Sequence, residues 1–169
     1  MNILVLVLRI VHIVSGVFWV GSSLFTGIFL GPAVSATAEA GQRVLAQLVT
    51  KARFATIVSA SAGLTVIAGG WLYWIDSQGL TSGWTQSGPG TGFGIGALFA
   101  LVGLVFGGMV GRDTSTLGKI ATEISGKPTP EQLGKIVAAR KQLAYAGPTS
   151  TITLLIALIC MATARYWVF

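Results

Sequence analysis

The stretch Leu8 to Pro32, LRIVHIVSGVFWVGSSLFTGIFLGP, decides the class of fold. A helix needs about 20 predominantly apolar residues to cross a bilayer, and this run is long enough. It also holds the only histidine of the chain, His12, with Arg9 one turn earlier. Residues three or four apart share a helix face. Down one face come Arg9, His12, Ser15, Trp19, Ser22 and Thr26, whereas the remaining faces are Val, Phe, Leu and Ile. A polar stripe on an apolar helix is expected to turn from lipid toward other helices or a cavity.

Composition extends that reading to the whole chain. Of 169 residues, 53% are hydrophobic and 9% charged. Soluble domains carry about 25% charged residues, so this is the composition of a membrane protein. The single cysteine, Cys160, excludes an intrachain disulfide and any Cys-based metal motif. Nothing basic precedes Arg9 and the apolar run outlasts a signal-peptide core, so the opening segment is expected to be retained.

Four spans follow, at about 8–31, 54–75, 92–111 and 148–168. The first is expected to stop at Gly31-Pro32. The Ala-rich stretch 33–53 reads as a short amphipathic helix, with Val44, Leu45, Leu48 and Val49 on one side. The second span carries a column of small or hydroxyl residues, Thr56, Ser59, Gly63 and Gly70. It closes on Trp71, Tyr73 and Trp74, the aromatic signature of a membrane–water boundary. Residues 76–91, rich in Gly, Ser and Thr, read as an exposed loop. In the third span Gly92, Gly96, Ala100, Gly103, Gly107 and Gly111 form a small-residue seam. Such seams let helix backbones approach closely, either within one bundle or, through Gly96, Gly103 and Gly107, in a homodimer or larger complex. Residues 114–125 read as a helical continuation. Thr129-Pro130-Glu131-Gln132 is a capping box, and Gly147-Pro148 is expected to kink or restart the helix as the fourth span. The fold class is therefore all-α integral membrane: a four-transmembrane-helix bundle, one domain over 1–169, with short amphipathic cytoplasmic helices.

The two loops 32–53 and 112–147 hold nine of the eleven Lys and Arg residues, leaving Arg9 and Arg165 for the other side. By the positive-inside rule those loops are cytoplasmic and both termini face outward, in a plasma or inner membrane. The basic balance is thus a topology signal touching lipid head groups, and no nucleic acid partner is expected.

An ionisable residue inside a membrane is a functional candidate by default. His12 can ligate haem iron or a transition metal, act in proton transfer with Asp76, or serve as a structural histidine bonded to a carbonyl or hydroxyl. In the haem reading Arg9 and Arg165 pair with propionates and Met161 is a candidate second ligand. There is no Walker loop, no HExxH, no nucleophile elbow and no carboxylate pair within a span, so no catalytic residues are assigned.

The run from His12 through Trp19 to Gly21 resembles the first helix of the CopD-like (copper resistance protein D-like) integral membrane proteins, a group that includes uncharacterised branches. It is more distantly similar to the HemJ-type proteins. The resemblance carries over to His12 alone and implies a four-span membrane protein; haem b and copper are the candidate cofactors for that histidine, neither of them favoured. The uncharacterised branch fits best. The expected function is a non-enzymatic, multi-pass accessory or interaction subunit of a membrane assembly. The alternatives are a haem b- or metal-binding protein using His12, and a small-solute or ion transporter along the stripe of the first span.

Overall fold

The computed structural model describes residues 3–124 and 126–169. Among them, four helical runs are long and apolar enough to cross a membrane: Ile3–Ala36, Phe54–Asp76, Gly88–Glu123 and Pro130–Tyr166. The expected all-α membrane bundle is what the chain forms. Its helices are α1 (Ile3–Phe25), α2 (Gly31–Ala36), α3 (Ala38–Thr50), α4 (Phe54–Asp76), α5 (Gly88–Glu123) and α6 (Pro130–Thr163).

Two closely packed pairs, α1 with α4 and α5 with α6, join through α4 against α5, and α1 touches α6 more sparsely. Trp19, Ala62 and Leu154 meet at the centre, ringed by Val20, Val58, Val66 and Leu104. Large apolar side chains such as Ile13, Val17, Ile67, Leu98, Val105 and Ile159 point outward. In water that surface would be an aggregation liability; around a bundle of membrane-length helices it is the lipid-facing jacket.

The seam on α5 is spent on α6. A Cβ at Gly96 would lie 2.8 Å from Met161 Cγ, and one at Gly103 would lie 2.7 Å from Leu154 Cγ. At Gly107 the neighbour is the Ser150 hydroxyl, 3.3 Å from such a Cβ, and Ser150 donates to the Gly103 carbonyl at 3.0 Å. A homodimer through Gly96, Gly103 and Gly107 would have to displace α6, because those backbones already meet a helix of their own chain.

Three expectations change in detail. The first helix does not stop at Gly31-Pro32. Its backbone passes through a π-turn at Thr26–Leu30, where the Gly31 N–H reaches the Thr26 carbonyl, and continues as α2. Proline lacks an N–H and crowds the carbonyl four residues earlier, and the wider turn accommodates both effects. Second, residues 76–91 are an ordered cap. Ser77 is fully buried, its Oγ accepts from the Leu80 N–H at 3.1 Å, and the Ser82 hydroxyl donates to its carbonyl at 2.9 Å. Trp84 stacks on Phe93 and meets Tyr73 edge-on. Helix α5 accordingly starts four residues early, at Gly88, with Ser87 as its N-cap. Gly88 and Gly90 have to be glycine: added Cβ atoms would fall 1.8 Å from the Trp167 carbonyl oxygen and 2.0 Å from that of Trp84. Third, Gly147-Pro148 does not restart the helix: α6 runs from Pro130 to Thr163 with Pro148 inside it, and Ala146 and Ser150 on either side are buried.

The capping box at Thr129 forms with both hydrogen bonds, and α5 continues to Glu123 as its sequence suggests. Beneath the bundle α3 folds back on that continuation, with Val49 filling the space beside Gly118. Leu45, Leu48 and Val49 are half-buried there, while Val44 remains exposed.

Gly103→Ala should lower stability by about 1–3 kcal/mol, since the added methyl drives into the buried Leu154. Gly108→Ala, whose Cβ meets nothing within 4 Å, should be neutral or stabilising by under about 1 kcal/mol. Thermal unfolding of the two variants in one detergent checks the contrast.

Candidate functional site

The polar stripe of α1 does turn inward. Ser15 and Trp19 are buried, and His12, Ser22 and Thr26 are half-buried. Its partner is α4, which presents Ala62, Thr65 and Ala68 as its buried face. Small residues bring the two helices together: Gly16 lies against the Thr65 side chain, and Gly69 lies under the His12 ring. A Cβ on Gly69 would stand 2.6 Å from His12 Cε1 and 2.7 Å from Nδ1, so the imidazole occupies the space a side chain would fill.

That seat determines the protonation pattern of the ring. His12 Nδ1 is 2.8 Å from the Thr65 carbonyl oxygen. A carbonyl only accepts, so Nδ1 carries the hydrogen, and in the neutral ring Nε2 keeps its lone pair. One turn inward a second link follows. The Ser15 hydroxyl donates to the Val11 carbonyl of its own helix, so its oxygen is left as an acceptor. The Thr65 hydroxyl lies 2.9 Å from that oxygen and 2.8 Å from the Ser61 carbonyl, and its single proton serves one of the two. Thr65 thus meets α1 by its carbonyl, bonded to His12, and its hydroxyl stands within reach of Ser15. Thr26 donates to Ser22 O at 2.7 Å, the back-bonding expected for hydroxyl residues of a membrane helix.

The other candidates do not gather around the imidazole. Met161 packs on α5 beside Gly96, whereas His12 packs on α4 beside Gly69. Arg9, Arg165 and Asp76 are exposed, and none of them makes an ion pair among the described residues. Among the described residues no three His, Cys, Asp or Glu side chains cluster as a metal-ligand set. Trp19 is buried in the core with Ala62 and Leu154.

Sequence reasoning missed Thr65, Ser61 and Gly69. It picked out the column Thr56, Ser59, Gly63 and Gly70, which lies on the outer side of α4: Thr56, Ser59 and Gly70 are exposed, and nothing approaches Gly63 or Gly70 within 4 Å of an added Cβ. The usable signal was the spacing of Ala62, Thr65, Ala68 and Gly69, a second small-residue row on the same helix. Asp113 was also missed; it is buried on α5.

No protein-family model, curated protein or solved structure matches the chain.

Gly69→Ala should push the imidazole off α4 and break its bond to Thr65, at a cost of about 1–3 kcal/mol. Nitrogen-15 NMR of the His12 ring reads this directly. The neutral wild-type ring should be protonated at Nδ1, and the variant should lose that preference.

Proposed function

We propose that this chain is a non-enzymatic, multi-pass subunit of the plasma or inner membrane that works by helix–helix contact within a larger membrane assembly. The observation that carries the reading is the outer face of α4. Thr56, Ser59, Gly63 and Gly70 form a row of small and hydroxyl residues, broken by the exposed Ile67, that no helix among the described residues covers. Among the described residues the hydroxyls of Thr56 and Ser59 have no hydrogen-bond partner, although Ser61 on the same helix donates to the Ile57 carbonyl four residues back. In hydrocarbon an unpaired hydroxyl is costly, and interhelical partners for Ser and Thr are the usual remedy. A partner helix seated there, another subunit or a second copy, would satisfy both. The loops 32–53 and 112–147, with their nine bases, would then face the cytoplasm, and both chain ends the outside.

A photo-crosslinking residue at position 59 should capture a protein partner in membranes, whereas one at position 105, on the lipid-facing side of α5, should capture lipid. Gly63→Leu should abolish the protein adduct. Adducts of lipid alone at position 59 would remove the reading.

A second reading rests on the ring of His12. An Nδ1–H held by a backbone carbonyl is the arrangement that orients the other nitrogen for a metal ion or a haem iron. In this reading Nε2 is the ligand atom, and the exposed Arg9 and Arg165 are available to haem propionates. An absorption spectrum of the purified protein tests it. A Soret band lost in His12→Ala is the expected result; a featureless spectrum with no stoichiometric copper or iron would dismiss it.

A further inference from the structure

Asp113 is, among the described residues, the only charged side chain inside the fold, at 6% exposure. It lies on the inner face of α5, seven residues after Phe106 and seven before Ile120, with Leu117 and Gly118 also buried in the next turn. Val49 of α3 closes over that turn at Gly118. The carboxylate oxygen Oδ2 is buried and accepts no hydrogen bond. Among the described residues Asp113 makes no ion pair either, although bases stand at the same end of the bundle. Arg112 and Lys119 on α5, and Arg140 and Lys141 on α6, are all exposed. The chain pairs two exposed acids instead, Glu39 with Arg43 and Glu131 with Lys135.

A buried carboxylate left unpaired is among the costliest arrangements in a fold, and surface bases cannot compensate it from water. One negative charge is balanced by one positive charge; a divalent ion would leave a net charge buried in its place. Carboxylate and hydroxyl oxygens are hard donors, which suit hard cations. Thr116, three residues on, shares this helix face. Its hydroxyl proton goes to the Arg112 carbonyl at 3.0 Å, so the oxygen has lone pairs to offer.

We infer that Asp113, assisted by the Thr116 hydroxyl, binds a monovalent alkali cation, sodium or potassium, at the end of the bundle that α3 covers. The bound ion neutralises the carboxylate.

The test is thermal unfolding of the full chain in lipid nanodiscs, at fixed pH and ionic strength, as choline chloride is exchanged for sodium or potassium chloride. The wild type should gain stability saturably in one of the alkali salts. At a cation concentration 100 times its Kd the ratio of folded to unfolded chain should rise about 100-fold. Asp113→Asn should lose that response, and Thr116→Val should shift it to higher cation concentration. Equal midpoints in choline, sodium and potassium would overturn the proposal, as would an Asp113→Asn variant that responds like the wild type. Should Asp113→Asn fail to fold, sodium-23 NMR of the wild type decides. Saturable line broadening that potassium relieves supports the site, and broadening no greater than that of empty discs rejects a sodium site and leaves potassium to the melting series.

Discussion

Close approach of helix backbones, made possible where side chains are missing, is the constraint on which this bundle rests. Lipid tails give apolar residues no reason to leave them, so association must come from packing and from hydrogen bonds between helices. The glycines of α5 let α6 lie against its backbone, with Leu154 and Met161 filling the room that Cβ atoms would take. The same device joins α1 to α4, where Gly16 receives Thr65 and Gly69 receives His12. Each seam also carries a polar tie at its closest point: Ser150 to the Gly103 carbonyl in one pair, and His12 to the Thr65 carbonyl in the other.

Those ties explain why an imidazole is tolerated within a membrane helix. The ring is half-buried, backed by glycine and anchored to a carbonyl that already belongs to a helix. Such an anchor stabilises the α1–α4 pair and, by the same bond, sets which nitrogen is left free.

The two ends of the bundle are closed by different means. At the end bearing the chain termini, an aromatic and hydroxyl cap orders residues that composition alone marks as loop. Trp84 bridges Tyr73 and Phe93, and Trp167 lies over Gly88 and Gly92. At the opposite end α3 is laid across the extension of α5, with Val49 against Gly118, and the buried Oδ2 of Asp113 on α5 has no hydrogen-bond partner among the described residues.

The class of fold was legible in the sequence because hydropathy and length are local properties. The second span is observed at Phe54–Asp76 against about 54–75 expected, and the capping box at Thr129 and the inward stripe of α1 needed only helical periodicity. Helix ends were less legible. Pro32 and Pro148 are breakers by rule, yet a π-turn absorbs the first and packing on both sides holds the helix through the second. Partner choice was not legible at all. Two small-residue rows run along α4, and nothing in their composition tells the row that receives His12 from the row that is left open. Likewise Asp113, next to Arg112, reads as a solvated charge until α5 is seen to continue inside the fold. Which face meets which neighbour depends on how four helices fit at once, and only the tertiary structure decides that.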